Sequence, residues 1–218
     1  MFAFTLSKLN LLVLVVAVFT IIAFFNSSMS ESLKVKELND LVNNQSIIIS
    51  SMLSSPSYCD SLQRFIPESI SLSGSELSYI MRVKVSEVTV DGERKSVVIF
   101  SAAERKSEKK SAQQILASAS FGIASDTEVF LYSNDEDVCG SGSYCEVDSK
   151  ELVFDPQAAK PTNSFWVVKE QELGKKNLYI IQCTFTSGIT SACNAAKTEV
   201  GEQLVHPQVG TNVGGFHC

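Results

Sequence analysis

Leu11-Leu12-Val13-Leu14-Val15-Val16-Ala17-Val18-Phe19-Thr20-Ile21-Ile22-Ala23-Phe24-Phe25 decides how the rest of this chain must be read. Every residue except Thr20 is Leu, Val, Ile, Phe or Ala, and twelve of the fifteen are large apolar types. A helix on the surface of a soluble domain keeps a polar face, and this run has none. Each Leu, Ile, Val or Phe favours insertion by about 0.3–0.6 kcal/mol, so the twelve together supply on the order of 5 kcal/mol. With Leu6 and Leu9 included, residues 6–25 form a segment that reaches roughly 30 Å at about 1.5 Å per residue, the thickness of a hydrocarbon layer. The expected partner of this segment is therefore the lipid bilayer, with Lys8 and Asn10 snorkelling at one edge.

A cleaved signal peptide is the rival reading, with Lys8 as its charged region and Ser28 and Ser30 as small residues before a cut. The residues beyond the run point instead to a retained anchor. Val35, Leu38, Leu41, Val42, Ile48, Ile49 and Met52 recur at three- and four-residue steps, which continues one helix as an amphipathic stalk to about Leu53. The break comes at Ser54-Ser55-Pro56-Ser57, where proline disfavours helical geometry for the residue before it. The expected organisation is a short cytoplasmic N-terminus (1–5), a transmembrane helix (6–25), an amphipathic stalk helix (26–53) and an extracytoplasmic, mostly β domain (54–218). Flanking charge gives little direction, because only Lys8 with the amino terminus lies on the short side while Glu31, Lys34, Lys36 and Glu37 follow the span. A long domain translocates largely regardless of its charge. Cysteine usage then votes for the outside, and the chain reads as a single-pass protein of the cell membrane.

All six cysteines, Cys59, Cys139, Cys145, Cys183, Cys193 and Cys218, follow the span, an even number in a domain read as facing an oxidising compartment. Cys139 and Cys145 flank the flexible Gly140-Ser141-Gly142-Ser143-Tyr144, and Cys183 and Cys193 flank a turn around Ser187-Gly188, so two local disulfides are expected. Cys59 with Cys218 is left by elimination, although six cysteines formally allow about fifteen connectivities. Thiolates with His206 and His217 could also bind zinc, but the spacing contains neither C-x-x-C nor a compact histidine pair, and no metal is expected. Asn26-Ser27-Ser28 and Asn44-Gln45-Ser46 have the glycosylation pattern that an outside location permits.

The domain beyond the stalk reads as the β part of an α+β protein. Tyr79 to Val90 alternates apolar with polar residues, Asp91-Gly92-Glu93 signals a turn, and Ser96 to Phe100 returns, which predicts an antiparallel hairpin. Ala103 to Phe121 has helical composition, although Ile115 to Phe121 also fits a strand. Glu128 to Tyr132 and Glu151 to Phe154 read as short strands. A second hairpin pairs Ser164–Glu170 with Asn177–Thr186 across a turn at Gly174, and Ala192 to Leu204 has helical composition.

Several functions are disfavoured by what these residues are. With 18 basic against 24 acidic residues the net charge is -6, so the domain has no electrostatic attraction for nucleic acid. Asp135, Glu136 and Asp137 could bind calcium with Asp126 or Asp148, yet they lack the glycine of a calcium loop and read as a solvated turn. Ser107-Glu108-Lys109-Lys110 has the spacing of a serine-lysine hydrolase, but it sits within a charge run. Phosphate-loop, dinucleotide, nucleophile-elbow and zinc-protease motifs are absent, and the two histidines both lie near the C-terminal end. The expectation is a structural or binding domain without catalytic residues, cofactor or metal. A membrane-tethered hydrolase is the enzymatic alternative.

Phe4-Thr5-Leu6 before an apolar run that continues as an amphipathic helix, followed by a strand-rich domain with cysteines, resembles a type IV pilin or pseudopilin. The resemblance covers about the first fifty residues. It implies that the apolar half-helix holds the subunit in the membrane and later in a filament core, while the amphipathic half packs on the sheet. It also implies removal of Met1-Phe2-Ala3. Counting from Phe4, the fifth residue is Lys8, where that family carries a glutamate.

Overall fold

The computed structural model describes residues 2–72, 75–90, 93–105, 114–140, 143–172, 174–183, 189–204 and 216. The fold is α+β, with one long N-terminal helix followed by a largely antiparallel β domain. Helix α1 (Phe2–Ser54) runs unbroken from the apolar stretch through the stalk. Its last turn tightens, with the Ser55 amide donating to the Met52 carbonyl at 3.2 Å, and Pro56 prevents another.

The elements that follow are β1 (Cys59–Phe65), β2 (Ile70–Leu72), β3 (Ser75–Leu77), β4 (Tyr79–Val90), β5 (Glu93–Glu104), β6 (Ile115–Gly122) and β7 (Thr127–Ser133). Helix α2 (Glu136–Cys139), β8 (Cys145–Glu146), β9 (Glu151–Phe154), β10 (Ser164–Glu172), β11 (Lys175–Cys183) and helix α3 (Ile189–Gln203) complete the series. Four strands in the order β6-β5-β4-β9 make one antiparallel sheet. Five in the order β1-β10-β11-β7-β8 make the second, antiparallel except where β7 lies parallel to β11. β2 and β3 form a small separate ribbon.

Alternation along the strands decides which faces are buried. On β11, Leu178 and Ile180 join a core shared with Val83, Phe100, Leu131, Phe154 and Phe165, while Tyr179 and Ile181 face the opposite way, toward α3. The second sheet is therefore covered on both sides. From α1, Leu38, Val42 and Ile49 enter the first core fully buried, and Met52 nearly so. Burying each such side chain stabilises the fold by roughly 1.5–3 kcal/mol.

The helix expected over Ala103–Phe121 is overturned where the chain is described. β5 extends to Glu104, and β6 pairs with it from Val97↔Gly122 to Ala102↔Ala117, with a bulge before Ala103↔Ile115. Ala117, Ala119 and Phe121 pack into the core beneath α1, while Ser118 and Ser120 face outward. The intrinsic helical preference of alanine yields to this burial, and the small side chains let α1 approach the sheet closely. β1 is a further strand, rich in polar residues, to which the sequence reading assigns no element. Its seven residues pair with β10 from Cys59↔Glu170 to Phe65↔Ser164. In the second hairpin Gly174 takes φ 82°, the left-handed geometry that only glycine adopts without strain.

Candidate functional site

The feature with clear functional content is α1, because one of its halves is bare of the β domain and the other is packed on it. The described residues contain one helix long and apolar enough to cross a membrane, and it is this one. Its large apolar side chains from Leu11 to Phe25 are 41–70% exposed, and none touches the β domain closely enough to be buried. Thr20, the one polar residue in the run, turns its hydroxyl back to donate to the Val16 carbonyl at 2.8 Å, so its donor is satisfied within the helix. The anchor is thus apolar on every side.

From Leu33 onward the same helix is mounted on the β domain. Three polar ties, each from a different strand, supplement the apolar stripe. Near the start of the mounted half, the Lys34 ammonium meets the Glu104 carboxylate of β5 at 2.9 Å, and that hydrogen bond raises the lysine pKa above its ordinary value. Midway, Arg64 of β1 donates through Nε to the Gln45 side-chain oxygen at 2.9 Å. At the far end, Lys169 of β10 donates from Nζ to the carbonyls of Met52 (3.2 Å) and Ser55 (2.5 Å).

Lys169 is fully buried, which is unusual for a lysine. The last carbonyls of a helix lack intrahelical donors and carry the negative end of its dipole, so an ammonium placed there satisfies both. Burial lowers its pKa from the ordinary lysine value, opposed by the attraction of Asp60 across the strand pair and reinforced by Lys176.

The cysteines staple the side of the domain that α3 covers and its neighbouring loop. Cys139 at the end of α2 is joined to Cys145 at the start of β8, with S–S 2.01 Å and Cα–Cα 5.6 Å. Cys183, the last residue of β11, is joined to Cys193 of α3, with S–S 2.06 Å and Cα–Cα 5.1 Å. Cys59 is also disulfide-bonded. Cys218, its expected mate, lies outside the described residues. So do His206 and His217 of the zinc alternative and Ser107 to Lys110 of the hydrolase alternative.

The acidic turn has a structural use. The Asp135 side chain caps α2 by accepting from the Asp137 amide at 3.1 Å, and Glu136 and Asp137 occupy its first turn, where carboxylates complement the dipole. Among the described residues no group of three or more His, Cys, Asp or Glu side chains is placed to hold a metal. Beside this turn a cleft of about 160 Å³ is lined by Ser133, Asp135, Val138, Leu152 and Gln182. Its polar groups serve the fold. Ser133 donates to the Gln182 oxygen at 2.6 Å, and the Gln182 amide donates to the Val153 carbonyl at 2.6 Å, linking the two sheets.

Lys169 is the residue of this site that sequence reading missed. A signal was present: in β10 it falls in phase with Phe165 and Val167, both core-facing, so the period of two places it inward. In comparisons with known proteins, no family model matches the chain and no curated protein matches it.

Proposed function

We propose that the chain is a single-pass membrane protein whose β domain lies outside the cytoplasm and has a structural or binding role rather than a catalytic one. The observation that supports this most is the continuity of α1, whose bare apolar half passes without a break into a half that is part of the domain's core. The disulfides support an oxidising compartment. Intact mass of the membrane-extracted protein, taken before and after reduction with thiol labelling, tests the placement. The expected result is a full-length chain that reacts with thiol reagents only after reduction. Loss of about thirty N-terminal residues would mean secretion, and freely reactive thiols would overturn the compartment.

A pilin-like filament subunit is the second reading, and the same continuity of α1 favours it, together with Phe4-Thr5-Leu6 before the apolar run. It requires removal of Met1-Phe2-Ala3 and association of copies through the bare half of α1. An intact N-terminus in the membrane-extracted protein would sink it.

A further inference from the structure

Between the two halves of α1 lies Asn26-Ser27-Ser28-Met29-Ser30-Glu31-Ser32, and all seven residues are exposed. Five of them are Asn or Ser, whose side chains compete for backbone hydrogen bonds and disfavour helix interiors. Helices in proteins owe most of their stability to packing, and this segment packs against nothing in the domain. On its N-terminal side the apolar run ends at Phe25. On its C-terminal side the mount begins at once, with Leu33 half-buried and Lys34 bonded to Glu104. The weakest turn pair of α1 therefore falls between its two restrained parts.

We propose that residues 26–32 are a hinge that unwinds locally and lets the β domain, rigidly mounted from residue 33 onward, reorient against its anchor. This rests on the single-pass reading above. As helix the seven residues cover roughly 10 Å, and fully extended they reach roughly 23–25 Å, so unwinding frees the domain to swing and to rise by about 13 Å.

The test is hydrogen exchange of the full chain in phosphatidylcholine nanodiscs, with vesicle flotation run in parallel. Amides of residues 27–32 should exchange at least about tenfold faster than those of residues 14–22 and 42–52. Changing Ser27→Ala, Ser28→Ala, Ser30→Ala and Ser32→Ala together should slow the segment by about thirtyfold, from the difference in intrinsic helix preference, and leave residues 42–52 unchanged. Uniform protection from residue 14 to residue 52 in a chain that floats would overturn the hinge and leave the anchor standing. A chain that fails to float, with fast exchange at residues 14–22, would overturn the anchor reading and the hinge with it.

Discussion

The two halves of α1 share one backbone and one hydrogen-bonding pattern, yet the first is bare and apolar all round while the second shows an apolar stripe to the sheet and Lys36, Asp40, Asn43 and Asn44 to the outside. Helix formation is common to both. What separates them is where the apolar side chains sit, since a helix apolar on every face requires an apolar solvent and a striped one requires a core. The boundary between the two environments is written in side chains alone.

The largest effect that would break this comparison comes from charging the bare half. Val15→Arg with Phe19→Arg should cost about 5–7 kcal/mol of insertion, on the order of the whole favourable term, and abolish flotation with vesicles while the domain's thermal transition stays in place. The converse change sharpens it. Ile49→Ala should cost about 2–5 kcal/mol of domain stability, because the site is fully buried between helix and sheets, and should leave flotation intact. If Ile49→Ala also released the chain from vesicles, the two halves would not be energetically separate.

A smaller effect probes the mounted side alone. Tyr79 is fully buried and its hydroxyl donates to the Pro67 carbonyl at 2.6 Å, so burial pushes its pKa well above the ordinary tyrosine value. The folded state then holds a proton that the unfolded chain releases above about pH 10. Stability from this group is complete below that pH and falls as pH rises toward the folded pKa. Tyr79→Phe should cost about 1 kcal/mol at neutral pH and make the alkaline decline shallower, measured by denaturant unfolding between pH 9 and about pH 11.

Much of this architecture was legible because it depends on periodicity. The apolar run has no polar face, the stalk stripe repeats at helical steps, Tyr79–Val90 alternates over much of its length, and Ser164–Glu170 and Asn177–Thr186 are two apolar-rich runs across a turn at Gly174, so the helix and both hairpins follow from the sequence pattern. β6 was legible only as an alternative, because the Ala, Gln, Lys and Glu of Ala103 to Phe121 favour helix locally while Ile115 to Phe121 also fits a strand, and the packing of Ala117, Ala119 and Phe121 into the core beneath α1 decides for the strand. The parallel contact of β7 with β11 left no local trace, since it joins segments far apart in the chain. Lys169 was hidden by its type: a lysine is read as exposed, and its burial depends on two carbonyls that the end of α1 brings to it.

The pairing of β1 with β10 sets an order in time. β1 follows closely on the end of α1, yet its partner lies about a hundred residues downstream. At roughly 5–20 residues per second of synthesis, β1 waits on the order of ten seconds with both edges unpaired. An apolar strand in that position would invite pairing with neighbouring chains. Asp60, Ser61, Gln63 and Arg64 keep it soluble meanwhile, so the polarity that conceals β1 from a reader of the sequence also protects it during biogenesis.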